Sequence, residues 1–356
     1  MLPVLASAQN ANRTGAVFVM TNAADKNEII SYAGDASGNL AGGERFETRG
    51  RGSGGSIAPL GSQGALTLSQ DRTLLFAVNA GSGTVSVFRV RNSRLFLIDR
   101  ISAAGSEPVA VAQQGSLVYV LDAGGQGSVT GYRLQHDGTL TQIENSTAFL
   151  TPFAGASGPG SLSISPNGRF LLVTERVANT VDAFPINADG TLGTEVTTPG
   201  SAPEAFAGMF TPSGFAVIAQ ATFTSGSVTS YSLGANGSYT VISDSIPAGG
   251  NATCWIIATP DGKYLFTSNT ASANISEFSI NAAGALTPIG VVGAFSPGSF
   301  NLDLAISSDG KFLYTIEAGA GAVGAFSIAA NGQVTPLGNV VEGLPQSAGF
   351  QGIAAY

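Results

Sequence analysis

Three carboxylates, Asp122, Glu175 and Glu317, end apolar strand-like runs, and Arg176 directly follows the second. Carboxylates so placed can take a proton from water, hold hydroxyl groups, or coordinate a hard cation such as Ca2+ or Mg2+; a neighbouring guanidinium suits carboxylate or oxyanion charge. Four amides hold the same position elsewhere: Asn22, Asn79, Gln220 and Asn269. Two further guanidinium groups, Arg49 and Arg51, lie in a glycine-rich stretch, Arg49-Gly-Arg51-Gly-Ser-Gly-Gly55, which reads either as an anion-capturing loop or as a solvated linker. Its spelling Gly50-x-Gly52-x-x-Gly55 is not a dinucleotide fingerprint, because no βαβ unit surrounds it.

Other chemistries are closed. His136 is the sole histidine and belongs to a hairpin turn, no Gly-x-Ser-x-Gly elbow occurs, and Cys254 has no histidine to activate it. A single cysteine also rules out an internal disulfide framework and a cysteine-built zinc site. With 15 Lys and Arg scattered through a chain of net charge −8, no basic stripe for nucleic acid forms. No apolar run is long enough to span a bilayer, so no membrane partner is expected.

The elements that position these groups follow from a repeat. Nine to eleven residues after each polar strand end comes an aromatic that ends the next strand: Tyr32, Phe88, Tyr132, Phe184, Tyr231, Phe278 and Phe326. Turns such as Pro166-Asn167-Gly168, Pro260-Asp261-Gly262 and Ser308-Asp309-Gly310 recur at intervals of 43 to 53 residues, the length of a propeller blade. A second series, among them Asp137-Gly138, Asp189-Gly190 and Asn331-Gly332, carries the Asn, Asp and Gly that hairpins with positive φ require. With 48 Gly and only 11% charged residues, the chain suits short strands rather than long amphipathic helices.

The fold expected is therefore all-β: a seven-bladed propeller of four-stranded blades, spanning 15–356 as one domain. Because Ala16–Thr21 reads as a second strand with no first strand before it, the C-terminal run Gly349–Tyr356 is expected to complete blade one and close the ring. Residues 1–14 read as a disordered N-terminus or the remnant of a signal peptide. Ala6-Ser7-Ala8 has the small-x-small pattern of a cleavage site, which predicts a secreted or periplasmic protein.

In an up-and-down meander the seven polar residues share one face with the blade-to-blade crossovers, and His136 lies on the other. Loops on that face are expected to carry function. For the ring itself the alternative is structural, each member tying a strand end to loop amides.

Val120-Leu-Asp122-Ala-Gly, Phe76-Ala-Val-Asn79-Ala-Gly-Ser-Gly-Thr-Val, Gly158-Pro159 and Ser165-Pro-Asn-Gly-Arg-Phe170 resemble segments of the seven-bladed lactonase-type propellers, the family of propeller 6-phosphogluconolactonases and carboxymuconate cyclases. Val19-Met-Thr-Asn22 and Ala77-Val-Asn79-Ala-Gly-Ser82 resemble its exported members. Where that family reads Gly-Pro-Arg-His and Asn-Glu in blade four, this chain has Gly158-Pro159-Gly160-Ser161 and Glu175-Arg176.

The resemblance implies a lactonase-type hydrolase, or the reverse cycloisomerase, acting on a small lactone or sugar-acid derivative. Glu175 or Glu317 would be the general base and Arg176, with Arg49 or Arg51, would hold negative charge. Asn22, Asn79, Asp122, Gln220 and Asn269 would line the substrate site. The competing reading is a non-catalytic extracellular propeller that binds glycan or protein through the same face. No cofactor is expected beyond a Ca2+ or Mg2+ ion on Asp122, Glu175 or Glu317, and the chain is expected to be a monomer.

Overall fold

The computed structural model describes residues 13–150, 157–293 and 295–356. Residues 1–12 of the segment 1–14 expected to be a leader remnant or disordered, and part of the long crossover between blades three and four, lie outside these residues.

Seven antiparallel sheets succeed one another along the chain, and in every one but the first the strands follow sequence order, as short polar turns between adjacent strands dictate. Blade four is representative, with strands Pro159–Ile164, Phe170–Glu175, Thr180–Pro185 and Val196–Pro199. Its fourth strand begins later than the apolar run at Leu192 suggests, Leu192 making only an isolated bridge to Ile186. In blade three the outer strand is broken into Leu140–Gln142 and Ala148–Phe149, both paired with Ser128–Leu134.

The ring closes through the terminal strand. Ile353–Ala355 pairs with Arg13–Met20 in the register Val19↔Ile353, Phe18↔Ala354 and Val17↔Ala355, giving blade one its missing inner strand. Blade one thus draws strands from both ends of the chain, and the edge of Arg13–Met20 is covered.

The seven aromatics of the repeat are buried, from Tyr32 at 6% exposure to Phe326 at 0%, so the third strand of each blade contributes one large ring to the packing between blades. The residue entering the first strand is left-handed in five consecutive blades: Glu107, Gly158, Glu204, Ala252 and Phe300 all have φ between 49° and 71°. In each case its carbonyl accepts the N–H of the residue after the polar strand end, namely Ala123, Arg176, Ala221, Thr270 and Ala318. This backbone strain belongs to the blade architecture rather than to one functional loop. It also fixes where the side chain after each polar residue begins.

Candidate functional site

All seven polar strand ends are buried, at 0 or 1% exposure. Six of them end second strands and Asn22 lies two residues past the end of its own, one strand removed from the inner edge, so they sit under the crossovers instead of lining the channel. The amides act as ties. Asn79 donates to Thr84 Oγ1 (3.2 Å) and Ser86 Oγ (2.9 Å), Asn269 donates to Asn274 and Ser276, and Gln220 donates to Thr229 Oγ1 at 2.7 Å. Asn22 accepts from the Ser53 amide at 3.0 Å and donates to the Ser53 hydroxyl at 2.9 Å. Each bond joins a second strand to a third strand or to a crossover, satisfying groups that burial would otherwise leave unpaired.

The three carboxylates hold equivalent places in separate blades, and the fold does not bring Asp122, Glu175 and Glu317 together. Asp122 lies against the crossover at Gly105, where an added Cβ would stand 2.6 Å from its carboxyl carbon. Burial pushes it up to about 8, opposed by the Gly105 backbone amide. Glu317 is likewise pushed up to about 8 by burial, opposed by Ser299. Neither carboxyl has a partner at normal hydrogen-bond geometry among the described residues. At neutral pH both are mostly protonated, neutral groups standing where other blades use neutral amides. Glu175, also raised by burial, turns into blade four beside Asp182.

The glycine-rich stretch is not a solvated linker. Gly50 and Gly52 are buried under the ring, where a Cβ would fall 2.3 Å from the Asn79 side chain and 2.2 Å from the Asn22 backbone. Arg49 and Arg51 project outward and are exposed; Arg51 reaches only the Gly81 carbonyl at 3.4 Å, and the Arg49 carbonyl accepts from Arg100. Beyond them the chain runs as a strap across the axis. Leu60 N–H donates to Gln351 Oε1 of blade one (3.0 Å), Ser62 Oγ to the Val109 carbonyl of blade three (2.8 Å), and Gln63 N–H to the Gly160 carbonyl of blade four (2.7 Å). From blade six, Trp255 Nε1 donates to the Ser62 carbonyl (3.1 Å) and Ile256 N–H to Gln63 Oε1 (2.9 Å).

The start of blade four is tightly packed between the strap and blade five. Gly160 meets Gln63 at the axis, and a Cβ on it would lie 2.2 Å from the Phe206 carbonyl oxygen, so no long side chain fits there. Ser161 is held by Thr174 Oγ1 at 2.9 Å and Gly208 N–H at 2.7 Å. Two cavities of about 250 and 240 Å3 share Gln63, Gly64 and Thr67, and the first of them reaches Gln70, Gln113 and Gln114. Asp303 of blade seven borders the second cavity; burial pushes it up to about 7, opposed by the Leu304 and Ile353 amides.

Beside the strap, Arg176 turns away from Glu175. Its guanidinium lies 5.6 Å from the centre of the Phe206 ring, and a methyl on Gly61 would stand 3.4 Å from both of its terminal nitrogens. Phe206 in turn meets Trp255 edge-on, at 5.3 Å between ring centres. Arg176 is half-buried and makes no ion pair among the described residues. Small residues or Thr270 fill its position in blades three, five, six and seven.

Cys254 senses both Arg176 and the exposed carboxylate of Glu204, which places all three in one neighbourhood; burial pushes its thiol up to about 12, unsuited to nucleophilic attack. Glu204 and Asp303 were not among the residues the sequence singled out. Glu204 is the one acid in the crossover Ser201–Glu204 and Asp303 the one acid in the apolar strand Asn301–Ile306, faint signals that single residues in variable loops and strands provide.

Fold and mouth together define a seven-bladed propeller whose axis is strapped on the crossover face, with Arg176 beside the strap and without an ion-pair partner among the described residues. The sequence matches the model of the lactonase family of seven-bladed β-propellers over residues 109–222 and 214–300, and the chain belongs to that family. Among solved structures it is similar to a periplasmic gluconolactonase from Pseudomonas aeruginosa, with 19% identity, 95% of this chain and 99% of that chain covered, and a TM-score of 0.72. A candidate 6-phosphogluconolactonase from Bacteroides fragilis shares 19% identity over 100% of this chain and 99% of its own, at a TM-score of 0.68. A protein from Lactobacillus plantarum shares 17% identity over 96% and 98%, at 0.74. At such identities the likeness concerns the fold. No curated protein matches the sequence. Among the described residues no helix is long and apolar enough to cross a membrane.

Proposed function

We propose that the chain is a lactonase-type hydrolase acting on a small lactone or sugar-acid derivative at the strap-side mouth, between blades four, five and six. The observation that carries this reading is Arg176, a half-buried guanidinium with an aromatic ring beneath it and no acidic partner among the described residues. A cation so placed favours an anion or a developing oxyanion, because it has lost part of its water without gaining a counter-charge. Family membership supplies the reaction class.

In this reading Glu204 takes a proton from water as the oxygen attacks the lactone carbonyl carbon. The carbonyl π pair moves onto the oxygen facing Arg176, which stabilises the tetrahedral oxyanion. Collapse breaks the ring C–O bond, and the departing alkoxide recovers the proton from Glu204. The carboxyl group so formed gives its remaining proton to solvent, leaving the hydroxy acid with a carboxylate opposite Arg176. Glu175 and Glu317, both buried, take no part in this step. The Ala6-Ser7-Ala8 pattern extends the proposal to export from the cytoplasm.

Hydrolysis of a panel of γ- and δ-lactones, followed by acid release, tests the assignment. Arg176→Ala is expected to lower kcat/KM by a factor of about 10²–10³, with partial recovery in Arg176→Lys. Turnover of no lactone above the spontaneous rate, or full activity in Arg176→Ala, would overturn it.

A further inference from the structure

The blades provide an internal comparison. In blades two, five and six the polar strand end is an amide that donates to a hydroxyl on the third strand: Asn79 to Ser86, Gln220 to Thr229, and Asn269 to Ser276. Blade four keeps both positions but fills them with acids, Glu175 and Asp182. A third acid, Glu195, enters from the approach to the outer strand, and one carboxylate oxygen from each of the three lies within 4.8 Å of the others.

Burial makes this arrangement costly as it stands. Glu175 and Asp182 are 1% and 0% exposed, and Glu175 Oε2 and Asp182 Oδ1 have no hydrogen-bond partner among the described residues. Asp182 Oδ2 accepts from Thr180 Oγ1 at 2.8 Å, which leaves Oδ1 for another ligand. No Lys or Arg forms an ion pair with Glu175 or Asp182 among the described residues, and Arg176, next in sequence to Glu175, faces Phe206. Two buried carboxylates side by side, Glu175 and Asp182, repel one another strongly in such surroundings when both are charged.

We infer that blade four holds a divalent cation, Ca2+ by size and ligand type, between Glu175, Asp182 and Glu195. All the ligands are carboxylate oxygens, the donors of a hard cation, and no histidine or thiolate is near enough to recruit zinc or copper. Ca2+, the larger ion, takes six to eight oxygens and is held by several protein carboxylates at once, whereas the smaller Mg2+ keeps several of its waters and is usually bound through one or two carboxylates. The ion would replace the amide-to-hydroxyl bond of the other blades, joining second, third and outer strands in the blade that also carries Arg176. This inference stands apart from the lactonase reading.

Full-length protein stripped with EGTA, then titrated with CaCl2, tests it by metal analysis, by Tb3+ luminescence sensitised through aromatic residues, and by thermal melting. One Ca2+ per chain is expected after reloading, with a melting rise of roughly 4 °C at a hundredfold excess over the dissociation constant. Asp182→Asn is expected to abolish stoichiometric Ca2+ and the Ca2+-dependent rise, while the stripped variant melts no lower than stripped wild type because a repulsive charge has gone. Glu175→Gln, which leaves Asp182 intact, should weaken Ca2+ binding at least tenfold. Wild type that takes up no stoichiometric Ca2+ and melts identically with and without it would overturn the site and leave the three acids sharing protons. Undiminished Ca2+ uptake in both variants would equally overturn the assignment.

Discussion

Replacing Asp122 by asparagine is expected to flatten the pH dependence of stability, and the size of the effect follows from where this carboxyl sits. In the folded chain it titrates at about 8, against 3.8 for the free group, because burial opposes its charge. The folded state therefore keeps a proton that the unfolded chain gives up. The stability attached to that proton is complete below about pH 4 and is lost as pH rises through about 8. Between those limits each pH unit removes ~1.4 kcal/mol, and the whole interval at most ~6 kcal/mol. An unfolding entropy of about 2.1 cal/mol/K per residue over 356 residues turns the slope into ~2 °C per pH unit. Asparagine matches the carboxyl in shape, and its oxygen can accept from the Gly105 amide. Melting of wild type and Asp122→Asn at pH 5, 6, 7 and 8 should show the variant gaining ~2 °C on wild type with each unit. A constant difference between the two proteins across this range would refute the argument that the ring acids behave as neutral amide substitutes.

Two further outcomes follow from close contacts. Gly160→Ala drives a Cβ to 2.2 Å from the Phe206 carbonyl and should destabilise by roughly 1–3 kcal/mol, seen as a lower urea midpoint; a neutral result would mean the inner strands do not approach so closely. Deletion of Gln346–Tyr356 removes the strand paired with Val17–Val19 and the Gln351 contacts to the strap, so the chain should fail to fold by circular dichroism. A truncated chain that melts where the full chain does would contradict closure by this strand.

The blades were readable because each repeats a polar strand end and an aromatic at fixed spacing, and a period of that kind survives wide changes in loop sequence. Closure was readable for a related reason, since a blade lacking its inner strand at one terminus needs a strand from the other. The mouth was not. Ser62 and Gln63 form long-range bonds to blades three, four and six that no local pattern encodes. The ring's burial was hidden too, because sequence places Asp122 and Glu317 on the right face but not under the crossovers that cover them. Asp182 passed unnoticed for another reason: alone in Thr180–Pro185 it looks like one polar residue in an alternating strand, and only the sheet register sets it on the same face as Glu175.

The strap has a consequence for how the ring comes apart. Blades in a repeat ring ordinarily meet only their neighbours, so loss of order can begin at any joint and spread step by step. Here one segment between blades one and two is bonded to blades one, three, four and six at once. It acts as a hub among spokes, making opening at distant joints interdependent. A cut in this connection would loosen the bracing of the whole wheel, whereas a cut between other blades would free a single joint.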